Sequence, residues 1–240
     1  MDKNVCIFKP MRIQILGSRG EIEEKTSRHV KHSGVLVDDA ILFDLGEKEY
    51  LEEEPRSIFF THLHPDHAYF VRIPETFTYD GNLYAPEESD LAEQIKVLHE
   101  PVSIGKYTIT PVPVIHSLKV KSQGYIIDDG EKKALYTGDT AWIEKKHHHL
   151  FEGLNLVITD GSFMRKGGMI RRHKESGKIY GHTGIPNLAG MFEDYTPRII
   201  FTHFGKWFMD NVPKAKEKFS KLSRGNLKIE AAYDGMEIIL

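Results

Sequence analysis

A layered α/β sandwich, sheets inside and helices outside, is the fold class this chain predicts, and three observations carry it. Short runs rich in Val, Ile, Phe and Tyr recur, bounded by Gly, Pro or Asp. Several are apolar almost without interruption, as strands covered on both faces must be. Helical periodicity is sparser, and where it occurs it flanks later strands.

Taken in order, strands are predicted at Met11–Leu16, Gly34–Val37, Ile41–Asp44 and Ser57–Thr61. They continue at Lys106–Thr110, Val112–Ile115, Gly124–Ile127, Ala134–Thr137, Leu156–Thr159 and Ile199–Thr202. "VDDAI" and "IDDGEKKA" read as hairpin turns, since Asp and Gly tolerate turn backbones. Pro86 opens a helical pattern with Leu91, Ile95 and Leu98 on one face. Pro186 opens a second in "PNLAGMFEDY", and Pro213 a third with Phe219 and Leu222 inward. No repeat, low-complexity tract or Ser/Gly linker interrupts the chain, so residues 1–240 read as one domain.

Composition excludes several functions. A net charge of −3 leaves no whole-molecule basic footprint for nucleic acid, though a local basic patch remains open. No apolar run approaches the roughly 18 residues of a membrane span. "MDKNVCIFKPMRIQIL" lacks the apolar core of a secretory signal. The single cysteine, Cys6, excludes an internal disulfide and a cysteine-rich metal site. A cytoplasmic setting without membrane partners is the expectation, and a homodimer is compatible with it.

The chemistry gathers behind the apolar runs. "IFFT" is followed by His62, "PVPVI" by His116, "ALYTG" by Asp139, "LVIT" by Asp160 and "IIFT" by His203. Ligands in such sheets gather outside the strands' carboxyl ends, so five coincidences point to one shared site. In "THLHPDHA" a helix could not aim residues two apart at one point, whereas a turn can. Pro65 keeps His64 out of helical geometry. Two ions need more ligands than one ion accepts, and "HLHPDH" offers four in one place; histidine with carboxylate suits zinc, manganese or iron.

"THLHPDHA" resembles the His-x-His-x-Asp-His signature of the metallo-β-lactamase superfamily, and "VIHS", "TGDT" and "FTHF" resemble its remaining ligand segments in order. The resemblance implies a four-layer αββα sandwich with two divalent metal ions, zinc foremost, at one edge of two facing sheets. It assigns His62, His64 and His116 to one metal and Asp66, His67 and His203 to the other, with Asp139 bridging. Within the superfamily the segments are most similar to ribonuclease Z and related phosphodiesterases. "YGHTG" resembles their Gly-His-Ser motif, so His182 is implied as general acid. Asp160, in "TDGSF", stands where they carry the glutamate that orients it. A hydroxide shared by the metals would be the nucleophile, with Asp66 in the catalytic set. Only "DDGEKK" stands where ribonuclease Z has its tRNA-clamping arm, which argues against precursor-tRNA cleavage.

The expected substrate is a phosphodiester or other small molecule, with RNA within reach. A carbonyl ester such as a lactone or thioester could use the same metals. A non-catalytic nucleic-acid-binding module with structural metals is the reading from another class. Between Asp160 and His182, residues 165–178 carry Arg165, Lys166, Arg171, Arg172, Lys174 and Lys178 against the lone Glu175, with Gly167 and Gly168 expected at a flexible tip. That charge suits a phosphate substrate, or equally a solvated loop. His32 could face the site or lie outside it. Asp44 is a candidate for supporting the ligand loop from behind. His147, His148 and His149 read as a solvated turn. Trp207 and Phe208 could line the substrate mouth, the core or a subunit contact.

Overall fold

The computed structural model describes residues 9–240; Cys6 lies outside them. The first half contains β1 (Arg12–Gly17), β2 (Gly34–Val37), β3 (Ile41–Phe43), β4 (Ser57–Phe59), α1 (Tyr69–Arg72), β5 (Asn82–Ala85), β6 (Lys96–Val97) and β7 (Val102–Ile104). Then come β8 (Tyr107–Pro113), β9 (Gln123–Asp128), β10 (Lys133–Tyr136), β11 (Leu156–Asp160), β12 (Met169–Arg172) and β13 (Ile179–His182). The chain closes with α2 (Ile185–Phe192), β14 (Arg198–Thr202), α3 (Lys206–Met209), α4 (Val212–Leu222), β15 (Lys228–Ala231) and β16 (Met236–Ile239).

Two seven-stranded mixed sheets form the sandwich, ordered β16-β1-β2-β3-β4-β5-β6 and β15-β14-β11-β10-β9-β8-β7. Each joins an antiparallel half to a parallel half. β3, β4 and β5 run parallel in the first sheet, and β10, β11, β14 and β15 in the second. The facing sides interlock Ile13, Val35, Phe43 and Phe59 with Ile109, Tyr125, Tyr136 and Ile158. Behind the second sheet, Val157, Ile199 and Phe201 pack on Leu188 and Phe192 of α2 and on Phe219 of α4. Burying each such side chain contributes about 1.5–3 kcal/mol. The outer face of the first sheet is covered more lightly, by the 3₁₀ turn Lys48–Glu53, α1 and Phe60, Phe70 and Phe77. This is the predicted αββα sandwich, with helices flanking two mixed sheets. No helix among the described residues is long and apolar enough to cross a membrane.

Local chemistry explains most elements. Pro186 and Pro213 sit in the first turns of α2 and α4, where no amide hydrogen is needed, and Asn211 caps α4 by accepting from the Lys214 amide. Both predicted hairpins form, β2–β3 through Asp38 and Asp39 at positive φ and β9–β10 through Gly130. The runs around Pro111 merge into one strand, β8. Beyond Ile109 its outer side has no neighbouring strand, so the missing proline amides cost no ladder bond.

Two expectations need correcting. The Pro86 segment is not a helix. Leu91 and Ile95 turn inward through single turns closed by Ala92 N–H to Ser89 O and Ile95 N–H to Ala92 O. Pairing of Tyr84 and Ala85 with Lys96 and Val97 then draws the chain into β6, and Leu98 joins a different core cluster. The basic stretch 165–178 is also not a loop with a glycine tip. It enters a two-stranded hairpin, β12–β13, with Gly168 packed at its base against the His182 carbonyl and the turn at residues 173–178.

Candidate metal centre

β8, β10, β11 and β14 all point their carboxyl ends at the same edge, because β9 runs antiparallel to both β8 and β10. His116 and Asp139 follow three residues after their strands, Asp160 ends β11, and His203 comes directly after β14. His203 has φ +55°, a left-handed conformation that a non-glycine residue adopts only under constraint. From the facing sheet, the turn after β4 supplies His62, His64, Asp66 and His67.

Seven of these side chains, all but Asp160, meet in two sets that share Asp139, and a third set joins Asp139 and His203 to Asp160 and His182. In the first, Nδ1 of His64 lies 3.1 Å from Nε2 of His62 and 3.2 Å from Nε2 of His116, with Asp139 Oδ2 3.7 Å and 3.6 Å from those two Nε2 atoms. In the second, Nε2 of His203 lies 2.8 Å from Asp66 Oδ2, and Asp139 Oδ1 is 3.2 Å from Nε2 of both His67 and His203. Asp139 thus turns one oxygen to each set.

This donor geometry fits divalent cations. A neutral imidazole donates from one nitrogen only, so three ring nitrogens in mutual contact cannot satisfy one another; a cation between them would. Asp139 Oδ1 is buried and, despite its two close imidazoles, makes no hydrogen bond. Such an orphan is costly unless something positive completes it. The atoms of each set lie within 4.8 Å of one another, all from histidine and carboxylate.

Hydrogen bonds behind the donors hold the rings. His67 Nδ1 lies 2.7 Å from Asp44 Oδ2, His116 Nδ1 3.1 Å from the Gly181 carbonyl, His62 Nδ1 3.0 Å from Thr61 Oγ1 and His203 Nδ1 2.9 Å from Ser162 Oγ. Each contact selects which nitrogen faces the centre. Ser162, Thr61 and the Gly181 carbonyl were not anticipated. Only the position of "TDGS" and "YGHTG" beside ligand motifs hinted at Ser162 and Gly181.

Burial opposes charge at every group here. At His62 and His64 it dominates and lowers the pKa, and it takes His116 down to about 4. Burial thus favours the neutral form of all three rings, the form that metal ligation requires. At His67 and His203 the surrounding carboxylates, Asp139 foremost, outweigh burial and raise the pKa. At Asp139 the imidazoles of His203, His67 and His182 overcome burial and lower it.

His182 stands beside the cluster at the base of the hairpin. Its Nδ1 is 2.7 Å from Asp160 Oδ2, and its Nε2 is 3.9 Å from Asp139 Oδ2. Asp160 reaches this ring although aspartate is one methylene shorter than glutamate. Its other contacts, from the amides of Thr140 and Ser162 and the Ser162 hydroxyl, hold it rigidly. A cavity of about 500 Å³ opens onto the centre, walled by Ile22, Pro65, Phe163, Met169 and Trp207.

The remaining candidates separate clearly. Asp44 lies behind His67, as above. His32 is buried outside the centre, its Nδ1 2.5 Å from Glu47 Oε1. Trp207 lines the cavity, whereas Phe208 is in the core. His147, His148 and His149 sit on a 3₁₀ turn and join no candidate metal cluster among the described residues.

Comparison with known proteins agrees with this arrangement. The structure is similar to the metallo-β-lactamase fold protein YhfI from Bacillus subtilis (TM-score 0.65, 20% identity, covering 96% of this chain and 100% of that one). It is similar to a diphosphatase of the PhnP family (0.65, 18%, 97% and 98%). It also resembles the short form of human tRNase Z, ELAC1 (0.61, 17%, 95% and 98%). At these identities the likeness is one of fold. No curated protein matches the chain. Residues 46–204, the span from just before the 3₁₀ turn Lys48–Glu53 to just past His203, match the profile described as Beta-lactamase superfamily domain, and the chain belongs to that family.

Proposed function

We propose that the protein is a dinuclear, zinc-loaded phosphodiesterase with a ribonuclease Z-like core, acting on a nucleotide or RNA-type phosphodiester. The observation that carries this reading is His182: one ring nitrogen is tied to Asp160, and the other faces the centre beside an open cavity. Held by the two sets of donors, divalent cations would supply a water of lowered pKa and Lewis acidity toward substrate oxygens.

The chain's own residues do the rest. Asp160 accepts a hydrogen bond from Nδ1–H of His182 and so orients Nε2 toward the departing group. Burial lowers the pKa of His182, but the Asp160 and Asp139 carboxylates outweigh it and hold the ring above its ordinary value. A protonated Nε2 can then hand its proton to a leaving alkoxide, the poorest leaving group among the candidate substrates. Thioesters release a thiolate and need that proton less. The cation-rich hairpin beside the cavity supports an anionic substrate. Two of the similar structures are named as a diphosphatase and a tRNase Z.

The test is turnover of a dinucleoside phosphodiester, whose leaving group is a nucleoside alkoxide, beside a lactone panel, in wild type and His182→Ala. The expected result is diester hydrolysis whose kcat falls about 10²–10⁴-fold in the variant, with metal content by elemental analysis unchanged. Metal loss in His182→Ala would make it a ligand. Lactone turnover without diester turnover would move the protein to carbonyl chemistry.

A further inference from the structure

Hairpin β12–β13 is the feature the catalytic reading leaves unused. In its ladder Met169 pairs with His182, Ile170 with Gly181, Arg171 with Tyr180 and Arg172 with Ile179. Directly opposed residues share a face, and faces alternate along each strand. Met169, His182, Arg171 and Tyr180 therefore stand on one face, and a 3.7 Å contact from Arg171 Nη2 to Met169 Sδ agrees. Met169 and His182 line the cavity at the metal centre. Arg171 and Tyr180 lie two residues further out on the same face, roughly 7 Å along the strand. The opposite face, at Ile179, looks into a separate groove that holds no metal cluster among the described residues.

The charge on this arm is free. Arg12, Lys31, Lys48, Arg72, Arg198 and Arg224 all pair with carboxylates. Among the described residues, none of Arg165, Lys166, Arg171, Arg172, Lys174 and Lys178 forms an ion pair; Arg165 and Arg172 bond backbone carbonyls instead. This exposed cationic arm carries an aromatic ring and an exposed methionine on its cavity-side face, whereas Lys214, Lys216, Lys218 and Lys221 of α4, also without ion pairs among the described residues, do not line the cavity. Aromatic face plus guanidinium is the chemistry that holds a base and its flanking phosphate. The base of the arm is anchored by Gly181 N–H to the His116 carbonyl at 2.6 Å, so a ligand on it is placed relative to the centre.

We infer that this face is the subsite for the leaving nucleotide of a single-stranded substrate, with its base stacked on Tyr180 and its next phosphate paired with Arg171. The inference rests on the phosphodiesterase reading, since His182, the proton donor for the leaving group, is on the same face.

The test is equilibrium binding of a fluorescein-labelled tetra-adenylate with cleavage-resistant phosphorothioate linkages to the full chain as purified, read by anisotropy across a salt series. Tyr180→Ala should raise Kd about tenfold, within the range of base–aromatic stacking. Tyr180→Phe should stay within about twofold of wild type. Arg171→Ala should weaken binding and flatten the slope of log Kd against log salt by about 0.7, one single-strand phosphate contact. Lys221→Ala on α4 should change neither, and unfolding curves by circular dichroism confirm that the variants fold. Wild-type Kd in Tyr180→Ala and Arg171→Ala overturns the subsite, as does an equal loss in Lys221→Ala or no saturable binding to wild type. Diester turnover by wild type is scored apart. The expected Kd changes without any turnover would sink the phosphodiesterase reading and leave a nucleotide-binding arm.

Discussion

Asp44 accepts hydrogen bonds from the Thr61 amide and hydroxyl, the Tyr136 hydroxyl and the His67 imidazole, and it is completely buried. It locks the turn that presents His62, His64, Asp66 and His67. Asp44→Asn keeps the shape and one acceptor but removes the charge facing His67. Metal affinity should fall about 10–100-fold, measured by competition with a chromophoric chelator; unchanged affinity would reduce Asp44 to a packing role. His29 is a second buried case, hydrogen-bonded to Ser18 and edge-on to Phe204 and Phe208. Burial lowers its pKa from 6.5 to about 4, against the opposing pull of Asp234. Above pH 6.5 the ring is neutral in both folded and unfolded chains. As pH falls toward 4, the unfolded chain takes up a proton that the folded one refuses, and stability is lost on the order of 3 kcal/mol across that window. His29→Gln should make the decline in Tm between pH 6.5 and 4 shallower than in wild type. Parallel declines would refute the assignment.

The hairpin and the His116 segment behave as one element. Gly181 donates to the His116 carbonyl, and its own carbonyl meets His116 Nδ1. Gly181 has φ +106°, and a Cβ there would sit 2.2 Å from the Met169 carbonyl oxygen. Gly181→Ala should open the ladder, release the His116 ring and lower both metal affinity and Tm. At the outer turn, Gly177 has φ +68° with nothing within 4 Å of a built Cβ. Gly177→Ala should cost only about 1 kcal/mol of backbone strain and leave metal content intact. Similar metal loss in both variants would show that backbone conformation alone, not the ladder, supports the centre.

Across the molecule, the centre joins the two sheets. His62, His64, Asp66 and His67 come from the turn after β4 of the first sheet; His116, Asp139 and His203 follow strands of the second. Cations bound there would hold the sandwich closed at one edge. At metal a thousandfold above Kd, linkage stabilises by about 4 kcal/mol, roughly 10 °C for a chain of this size at about 2–4 °C per kcal/mol. Thermal unfolding with and without EDTA should show that shift, restored by zinc. An unchanged Tm would mean the sheets do not depend on the centre.

The donors around His62 were legible because their spacing is a short-range property: three histidines and an aspartate on a turn led by Pro65 have few other uses. Strand ends at His116, Asp139, Asp160 and His203 were legible from apolar runs for the same reason. The Pro86 segment misled because inward spacing over the eight residues from Leu91 to Leu98 suits helix or turns alike, and only pairing with β5 decides. Residues 165–178 read as a loop because their exposed strands carry no core-facing alternation. Residue chemistry and local periodicity thus pointed to a layered sandwich and to candidates at the strand ends, while the motif resemblance implied the αββα fold and the two donor sets. Ser162 behind His203 and the seating of hairpin β12–β13 against the His116 segment were decided only by tertiary structure. Each depends on pairings between segments far apart in the chain, such as β11 with β14, and no short-range pattern encodes them.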